Sequence, residues 1–358
     1  MVRVIKTPKT TGVKTRIIAL DYLRGFFITV IIIDHLWRWP NIFTIFSGRG
    51  ELWASAAEGF VIISGLLVGY VRGYKNRSQP LATVSKKLIG RGVLLYLWMI
   101  ITSIALALVS WTLPFKGNIA HIPIPEGDWN LLITSTLRFD YVHTLTHFLY
   151  LYAIFLVLAP IAIWLLRRKL AWILGLVSAS VWVFGFINSV EWMQWQVLFF
   201  IPTIAGYYLD SLLKTYHSLS LSVRRSIRYG SIGTMLATVA WSASVVLPHE
   251  PGTFEDTLFS RDPVTIATIV TAFVWFVGLL SLFQLLLPLL KRWLGWLLLT
   301  FGERSLTAYI LHTIPLIVCQ LYFVQTNNIW INSLLTVFCI VATWGLLKIP
   351  GINRIIPR

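Results

Sequence analysis

The sequence predicts an all-α fold, a polytopic membrane helix bundle of about ten transmembrane helices with both termini in the cytoplasm. Two observations lead to this fold class. Of the 358 residues, 57% are hydrophobic and only 12% are charged, a balance outside the range of soluble globular domains. The apolar residues also occur in long runs, each of the length that a helix needs to cross a bilayer. A soluble globular protein is therefore excluded.

Neither an internal repeat nor a separable soluble domain is visible between the apolar runs. We therefore expect one integral membrane domain over residues 1–358. The boundary at 188–190, between the fifth and sixth runs, is the least distinct. The predicted membrane-spanning runs are 19–38, 51–71, 92–113, 146–166, 170–187, 191–209, 229–248, 264–290, 305–324 and 329–347.

The distribution of basic residues predicts the orientation in the membrane. The formal net charge is +16, and basic residues collect in the cytoplasmic loops of membrane proteins. With the amino terminus inside, 24 of the 30 Lys and Arg residues fall in inner segments, five fall in outer segments and Arg24 lies within a helix. Membrane topology, and not nucleic-acid binding, thus accounts for the charge. The pattern predicts a cytoplasmic tail at 1–16, without the features of a cleaved signal peptide, and outer loops at 114–145 and 249–263.

The two predicted outer loops collect carboxylates, aromatic rings and histidines. Such side chains suit a hydroxyl-rich ligand such as a sugar, but ordinary solvated loops have a similar composition. Both interpretations stay open. The residues concerned are Lys116, His121, Glu126, Asp128, Trp129, Arg138, Asp140, Tyr141 and His143 in the first loop, and His249, Glu250, Glu255, Asp256, Arg261 and Asp262 in the second.

The first apolar run carries ionisable residues at membrane depth. Arg24 lies near one end of the run, and the pair Asp34 and His35 lies near the other. Such groups cost several kcal/mol in a bilayer unless they find partners or water, so they indicate a functional site. Arg24 and His35 lie within about 20° of one helix face, roughly 16 Å apart along the axis. The second run adds Glu58, and Ser64 beside a glycine, where helices can approach closely.

These residues resemble the opening of the OpgC-type branch of the type 3 family of integral membrane acyltransferases. Members begin with an L-D-x-x-R-G helix, an Arg-x10-His spacing and a second helix that ends in F-x-x-x-S-G. A later W-Q-x-x-F helix, and a G-x-x-S-L element followed by Y-x-x-H, resemble the family as well. The matching residues are Leu20, Asp21, Arg24, Gly25, His35, Phe60, Ser64, Gly65, Trp195, Gln196, Phe199, Gly302, Ser305, Leu306, Tyr309 and His312.

His35 is the candidate catalytic base, with Asp34 as its candidate partner. Imidazole takes up protons near neutral pH. Asp34 is about 100° away around the helix, so it would orient the ring through a neighbouring group. The alternative is a histidine that is merely hydrogen-bonded at the membrane surface. The resemblance implies the catalytic role, because the matching His in these acyltransferases is regarded as the base that deprotonates the acceptor hydroxyl.

Arg24, Lys87 and Arg91 are the candidate donor-binding residues. A guanidinium suits phosphate oxygens, and the resemblance implies that Arg24 holds the phosphates of an acyl-CoA. Arg24 could instead snorkel to lipid head groups or pair with Asp21. The family's Arg-x-x-Arg pair has its nearest counterpart here in Lys87 and Arg91. The ordinary excess of basic residues in inner loops explains the same cluster, including Lys86.

The other site candidates are Glu58, Ser64, Gln196, Ser305 and His312. Gln196 would either serve the site or form an interhelical hydrogen bond. Ser305 would equally cap its helix. His312 lies about 10 Å into its span, either as a second site residue or as a hydrogen-bonded structural one.

No metal site and no permanently bound cofactor are predicted. His143 and His147 stand at i and i+4 and could bind a metal from a helix end. No third ligand follows at a diagnostic spacing. Cys319 and Cys339 both lie in apolar runs, so neither a disulfide framework nor a CxxC metal site is expected.

Together these features predict a membrane O-acyltransferase that moves an acetyl or succinyl group from cytoplasmic acyl-CoA to a hydroxyl of an extracytoplasmic glycan or polyol. Acyl-CoA would be a co-substrate, and membrane lipids and the acceptor would be the other partners. The expected location is a bacterial inner membrane. The alternative is a proton-coupled transporter or flippase of a lipid-linked or polar substrate, with the intramembrane charges as its pathway. Transporters often contain paired halves, and none are visible here.

Overall fold

The computed structural model describes residues 18–113, 122–248, 253–352 and 356. The predicted tail at 1–16, and the parts 114–121 and 249–252 of the predicted outer loops, lie outside the described residues. Within the described ranges every regular element is a helix, and the only β contact is one isolated bridge. The all-α class that the sequence predicts is therefore confirmed.

Seventeen α-helices follow one another along the described chain, and the short 3₁₀ turns Gly48–Gly50 and Thr144–Thr146 and the π-helix Val68–Lys75 lie between them. The helices are α1 Ile18–Leu36, α2 Thr44–Ser47, α3 Ala56–Leu67, α4 Leu81–Thr112, α5 Trp129–Arg138, α6 His147–Arg167, α7 Ala171–Ile187, α8 Glu191–Trp195, α9 Val197–Tyr207, α10 Leu209–Ser218, α11 Leu221–Val246, α12 Phe254–Leu258, α13 Ile266–Trp293, α14 Gly295–Glu303, α15 Ser305–Leu311, α16 Thr313–Tyr322 and α17 Ile329–Leu346.

Each predicted membrane-spanning run contains a helix, but fewer than ten helices are long and apolar enough to cross a membrane. Six helical stretches of the described chain meet that requirement. The number rises to seven if α8, α9 and α10, which bend by 64°, form a single span. The count falls because α1 carries three charged residues, α7 has 17 residues and α11 is rich in Gly, Ser and Thr. The protein is an integral membrane protein, and the predicted count of about ten spans is not confirmed.

The starts of α3 and α4 differ from the predicted ones for identifiable reasons. α4 begins at Leu81, eleven residues before the predicted start at 92, because the basic residues that looked like a loop lie on the exposed face of the helix. α3 begins at Ala56 and not at 51 because Ser55 caps it. The serine side chain accepts a hydrogen bond from the backbone N–H of Ala57 in the first turn, and the carboxylate of Glu58 accepts one from the backbone N–H of Ser55.

α1 lies inside the bundle. Most of its residues are buried, and it packs against α3, α13, α14 and the helices that follow. By contrast α7 exposes large apolar side chains, among them Trp172 and Ile187. Since apolar side chains on an outer helix face suit a lipid environment, α1 is a central helix and α7 a peripheral one.

Glycines let two helix pairs touch backbone to backbone. A Cβ atom added to Gly25 of α1 would lie 1.9 Å from the carbonyl oxygen of Leu298 in α14. One added to Gly206 of α9 would lie 2.0 Å from the carbonyl oxygen of Leu66 in α3. Small residues permit this approach between helices in membranes, where lipid supplies no hydrophobic drive for association.

We expect Gly206→Ala to destabilise the bundle. The added methyl group must push α9 away from Leu66, and overpacking of this kind costs about 1–3 kcal/mol. Thermal unfolding of the detergent-purified protein measures the effect. Gly345→Ala in α17 is the matched control, because nothing lies within 4 Å of a Cβ at that position. Equal unfolding temperatures for the two variants would contradict the close contact between α3 and α9.

Candidate functional site

The end of α1 is fastened to the end of α16 by a buried arginine. Arg38 is fully buried and donates hydrogen bonds to the carbonyl oxygens of Val324 at 2.8 Å, Phe323 at 2.5 Å and Cys319 at 3.1 Å. The guanidinium thus supplies donors for the carbonyls of Phe323 and Val324, which follow the end of α16, and adds a bond to that of Cys319, which Phe323 N–H also contacts. Gln320 donates in return to the last carbonyl of α1, at 2.9 Å. The two helix ends thus hold each other in place.

His35 and His312 form a directly hydrogen-bonded pair between α1 and the break that separates α15 from α16. Nδ1 of His35 lies 2.9 Å from Nε2 of His312. His312 is fully buried, and its Nδ1 is hydrogen-bonded to the carbonyl oxygen of Tyr309. His35 is half-buried. The Tyr309 ring lies against both imidazoles, so the pair has an aromatic wall.

The hydrogen bonds of this pair specify one tautomer for each neutral ring. A backbone carbonyl only accepts, so Nδ1 of His312 carries the proton that it donates to Tyr309. A neutral imidazole has one N–H, so Nε2 of His312 accepts and Nδ1 of His35 donates to it. Nε2 of His35 is then unprotonated. His35 therefore presents a lone pair, which is what a general base requires.

Arg24 lies further back along α1 and contacts the start of α15. Its Nη2 donates to the hydroxyl of the buried Ser305 at 2.5 Å, and its guanidinium lies 5.8 Å from the centre of the Phe60 ring. The contacts of Arg24 with Ser305 and of His35 with His312 follow the same order along the two segments that they join. The structure thus brings four predicted site residues together along one seam between the first helix and a late one.

A cavity of about 540 Å³ opens beside His35. Asp34 and His35 line it from α1, and the segment between α1 and α3 supplies most of the remaining wall. That wall combines two aromatic rings with charged side chains, and it includes Trp37, Trp39, Arg49, Gly50, Glu51 and Ser55. The predicted catalytic base therefore faces an open space with a mixed aromatic and polar lining.

Asp34 does not act on the His35 ring in this structure. The hydroxyl of Ser47 and the charge of Arg261 act on its carboxylate. Its Oδ1 atom is buried and has no hydrogen-bond partner among the described residues. Asp34 thus lines the cavity next to His35, and no hydrogen bond within the described part of the chain joins the two side chains.

Glu58 and Ser64 have different surroundings. Oε2 of Glu58 accepts hydrogen bonds from the backbone and hydroxyl of Ser55 at 2.8 and 2.6 Å, and Oε1 lies 3.9 Å from Arg261. Arg261 also donates to the carbonyl of Gly50. Glu58 therefore stabilises the start of α3 and the cavity wall. The buried hydroxyl of Ser64 has no partner in the described part of the chain.

Of the basic candidates on α4, Arg91 acts on a further arginine, Arg72, which falls between the second and third predicted membrane-spanning runs. Lys87 is exposed on α4, whereas Arg91 is half-buried. The charge of Arg91 acts on Arg72, which lies in the π-helix close to Tyr152. No feature of the sequence distinguishes Arg72 from other basic residues near helix ends. π-helical turns are frequent at functional sites, but they carry no clear sequence pattern.

Both polar atoms of the Gln196 side chain form hydrogen bonds that link two helices. Its Oε1 accepts from the Ser178 hydroxyl at 2.8 Å, and its Nε2 donates to the Ser178 carbonyl at 2.7 Å. Both residues are buried. Of the two roles that the sequence left open for Gln196, these contacts correspond to the interhelical hydrogen bond, here between α7 and the start of α9.

His143 and His147 do not share a metal-like geometry. Nδ1 of the buried His143 accepts from the backbone of Leu145 at 3.2 Å. His147 pairs with Glu191 at 2.7 Å. The sequence pattern does not indicate this contact. A search of the described ranges finds no group of three or more His, Cys, Asp or Glu side chains that could hold a metal ion.

The helical fold and the seam of ionisable residues inside it define an integral membrane protein with an intramembrane polar site. A family model described as OpgC protein matches residues 16–349, nearly the whole chain, and the chain belongs to that family. The resemblance found in the sequence is thereby confirmed. Membership indicates a membrane-associated transferase of acyltransferase type. No curated protein and no solved structure matches the chain.

Proposed function

We propose that this protein is an O-acyltransferase that moves an acyl group, acetyl or succinyl, from cytoplasmic acyl-CoA to a hydroxyl of an extracytoplasmic glycan or polyol. The observation that carries the proposal is the pair of His35 and His312, with the unprotonated Nε2 of His35 beside a cavity. An imidazole oriented by a second hydrogen-bonded group is the arrangement that activates hydroxyls in other acyl-transfer sites.

The proposed chemistry needs no covalent enzyme intermediate, because a thioester is already activated. Nε2 of His35 takes the proton of the acceptor hydroxyl as the oxygen attacks the thioester carbonyl. The C–S bond then breaks, and His35 returns the proton to the departing thiolate, which leaves an ester and free CoA. His312 accepts the Nδ1–H of His35 throughout, so it stabilises the imidazolium that forms.

Arg24 on α1 and the basic residues on α4 and the π-helix support a donor that enters from the Arg24 end of α1. Arg24 is separated from His35 by about 16 Å of helix rise, a distance that suits the extended pantetheine arm between the phosphates and the thioester. The charge of Arg91 acts on Arg72, and an anion between two like charges relieves their repulsion. We therefore assign the CoA phosphates to Arg24, Arg91 and Arg72, with Lys87 as a further exposed contact.

The proposed setting is a bacterial inner membrane with both termini cytoplasmic and about ten spans. The excess of basic residues in the inner segments supports this orientation. In it, the Arg24 end of α1 faces the cytoplasm, where acyl-CoA is found, and the cavity beside His35 faces outward. Membrane lipids surround the bundle, and acyl-CoA is a co-substrate and not a bound cofactor.

We expect His35→Ala to lower acyl transfer by about 100-fold or more, the usual contribution of a general base. The assay incubates the purified protein with labelled acetyl-CoA or succinyl-CoA and an oligosaccharide, and measures both thiol release and ester formation. His217→Ala, at an exposed position on α10, is the matched control. Full activity of a folded His35→Ala protein would refute the proposed mechanism. Solute flux in proteoliposomes without acyl-CoA consumption would favour a transporter instead.

His312 is a positioning residue in this scheme, and two substitutions separate that role from simple packing. The side-chain oxygen of Gln can accept the Nδ1–H of His35, whereas Leu cannot. We expect His312→Leu to lower kcat by at least tenfold with little change in KM, and His312→Gln to recover part of the loss. Equal kcat values for the two variants, at matched thermal stability, would show that His312 only fills space.

Donor binding is tested by thermal stability with and without CoA, acetyl-CoA and succinyl-CoA. A ligand that binds the folded state raises the unfolding temperature by mass action. We expect a shift in the wild type that Arg24→Ala and Arg91→Ala abolish. Arg225→Ala, an exposed basic residue on α11, is the control and keeps the shift. If no CoA compound stabilises the wild type at millimolar concentration, the proposed donor is wrong.

A further inference from the structure

The hydroxyl of Tyr309 is a buried polar group without a role in the proposed reaction. Tyr309 lies on α15 and is only 4% exposed. Its oxygen accepts a hydrogen bond of 3.2 Å from the backbone N–H of Phe148. A hydroxyl that accepts in this way still has its own hydrogen to donate, and the described part of the chain offers no acceptor for that hydrogen. Tyr309 therefore keeps an available O–H donor inside the bundle.

Tyr309 stands between the two contacts that join α1 to the α15 region. Ser305, Tyr309 and His312 are four and three residues apart, so they lie within about 60° of one helix face. Ser305 is the partner of Arg24, and His312 is the partner of His35. The Tyr309 ring lies 6.3 Å from the His35 ring, centre to centre. A thioester that reaches His35 from the Arg24 end therefore passes Tyr309.

The surroundings of this hydroxyl strengthen it as a donor. Phe148 is the second residue of α6, so its N–H is one of the groups that the start of a helix leaves open. The positive end of the α6 dipole thus lies at the Tyr309 oxygen. A hydrogen bond donated to a hydroxyl oxygen polarises the O–H bond, and burial removes competing water. The hydroxyl is therefore suited to an acceptor that carries negative charge.

We infer that the Tyr309 hydroxyl donates the hydrogen bond that stabilises the oxyanion of acyl transfer. The inference rests on the proposed function and adds a catalytic residue to it. As the acceptor oxygen bonds to the thioester carbon, the C=O π electrons move to the carbonyl oxygen, and Tyr309 donates to that oxyanion without losing its proton. When the C=O double bond forms again, the C–S bond breaks and the thiolate takes the proton that His35 holds.

Other polar groups near the site are less suited to this role. Both polar atoms of Gln196 already bond to a serine of α7. Nδ1 of His312 bonds to a backbone carbonyl, and its Nε2 accepts from His35. Ser64 has a buried hydroxyl without a partner in the described chain, but it lies on α3 and is not on the seam. The Tyr309 ring contacts both imidazoles of the seam.

Tyr309→Phe tests the inference, because it removes the hydroxyl and keeps the ring. We expect kcat for transfer from acetyl-CoA to fall by about 100- to 1,000-fold, the usual effect of losing one oxyanion donor. KM for acetyl-CoA should stay within about threefold, because the hydroxyl acts mainly on the transition state. An increase in KM with an unchanged kcat would make Tyr309 a binding residue and overturn the inference.

Tyr96→Phe on α4 is the matched control. The Tyr96 hydroxyl also bonds to the backbone, at 2.9 Å from the carbonyl oxygen of Leu137. This variant loses the same atom outside the seam, so its kcat should equal that of the wild type. Thermal unfolding of the detergent-purified variants shows that each is folded at the assay temperature.

Replacement of Tyr309 by 4-aminophenylalanine separates loss of the donor from a disturbed fold. Its amino group occupies the place of the hydroxyl, accepts from the Phe148 N–H and still has hydrogens to donate. We expect this residue to recover at least tenfold of the kcat that Tyr309→Phe loses. Equal kcat values for the two replacements would show that the hydroxyl only stabilises the start of α6, and would overturn the inference.

An infrared measurement distinguishes failure of this inference from failure of the proposed reaction. Difference spectra of the protein with acetyl-CoA that carries ¹³C at the carbonyl need neither an acceptor nor turnover. A hydrogen bond from Tyr309 lowers the stretching frequency of that carbonyl. We therefore expect Tyr309→Phe to raise the frequency, and Tyr96→Phe to leave it at the wild-type value.

The outcomes of the two measurements differ for the two hypotheses. Acyl transfer by the wild type, with the same kcat or the same carbonyl frequency in folded Tyr309→Phe, would remove the oxyanion role and leave the acyltransferase. A carbonyl frequency that depends on Tyr309, in a protein that transfers no acyl group, would support the donor while the proposed function fails. Absence of any acetyl-CoA signal in the wild type would overturn both.

Discussion

The polar groups that α1 carries into an apolar bundle need hydrogen-bond or charge partners, and the rest of the structure depends on this constraint. Arg24, His35 and Arg38 lie on or directly after this central helix, and each bonds to the region from α15 to the end of α16. An ionisable group in a bilayer is tolerated only when it is paired or reaches water. The first and the late helices are therefore joined by the groups that make the interior chemically active.

Arg38 and His312 hold the helices in place, whereas His35 keeps one ring nitrogen available for chemistry. Arg38 donates its hydrogen bonds to carbonyl oxygens at the end of α16. It therefore determines where α1 ends and where the cavity wall begins. His312 is held by the backbone carbonyl of Tyr309 and in turn orients His35. The remaining nitrogen of His35 points to no protein partner in the described chain. Rigid surroundings and one open lone pair are what preorganised catalysis requires.

Much of the architecture follows from patterns that are local in sequence. Every apolar run folds as a helix, and Arg24 and His35 lie on one seam, because the 3.6-residue period alone places them there. The predicted starts of α3 and α4 were wrong, since a capping box and an exposed basic face are not visible in hydropathy. Asp34 also differs from the simplest expectation, because its carboxylate lies near Ser47 and Arg261 instead of the neighbouring imidazole.

The sequence by itself determined the helical membrane class, the family and the kinds of side chain inside the bundle. These follow from composition, period and motif spacing, which are properties of short stretches. Only the tertiary structure decided that His312 is the partner of His35 and that Arg38 closes α16. The same holds for the two tryptophans and the cavity beside His35. The physical reason is that the contacts of His35 and Arg38 join residues hundreds of positions apart. Close packing at glycines, which no single segment encodes, determines which helices meet.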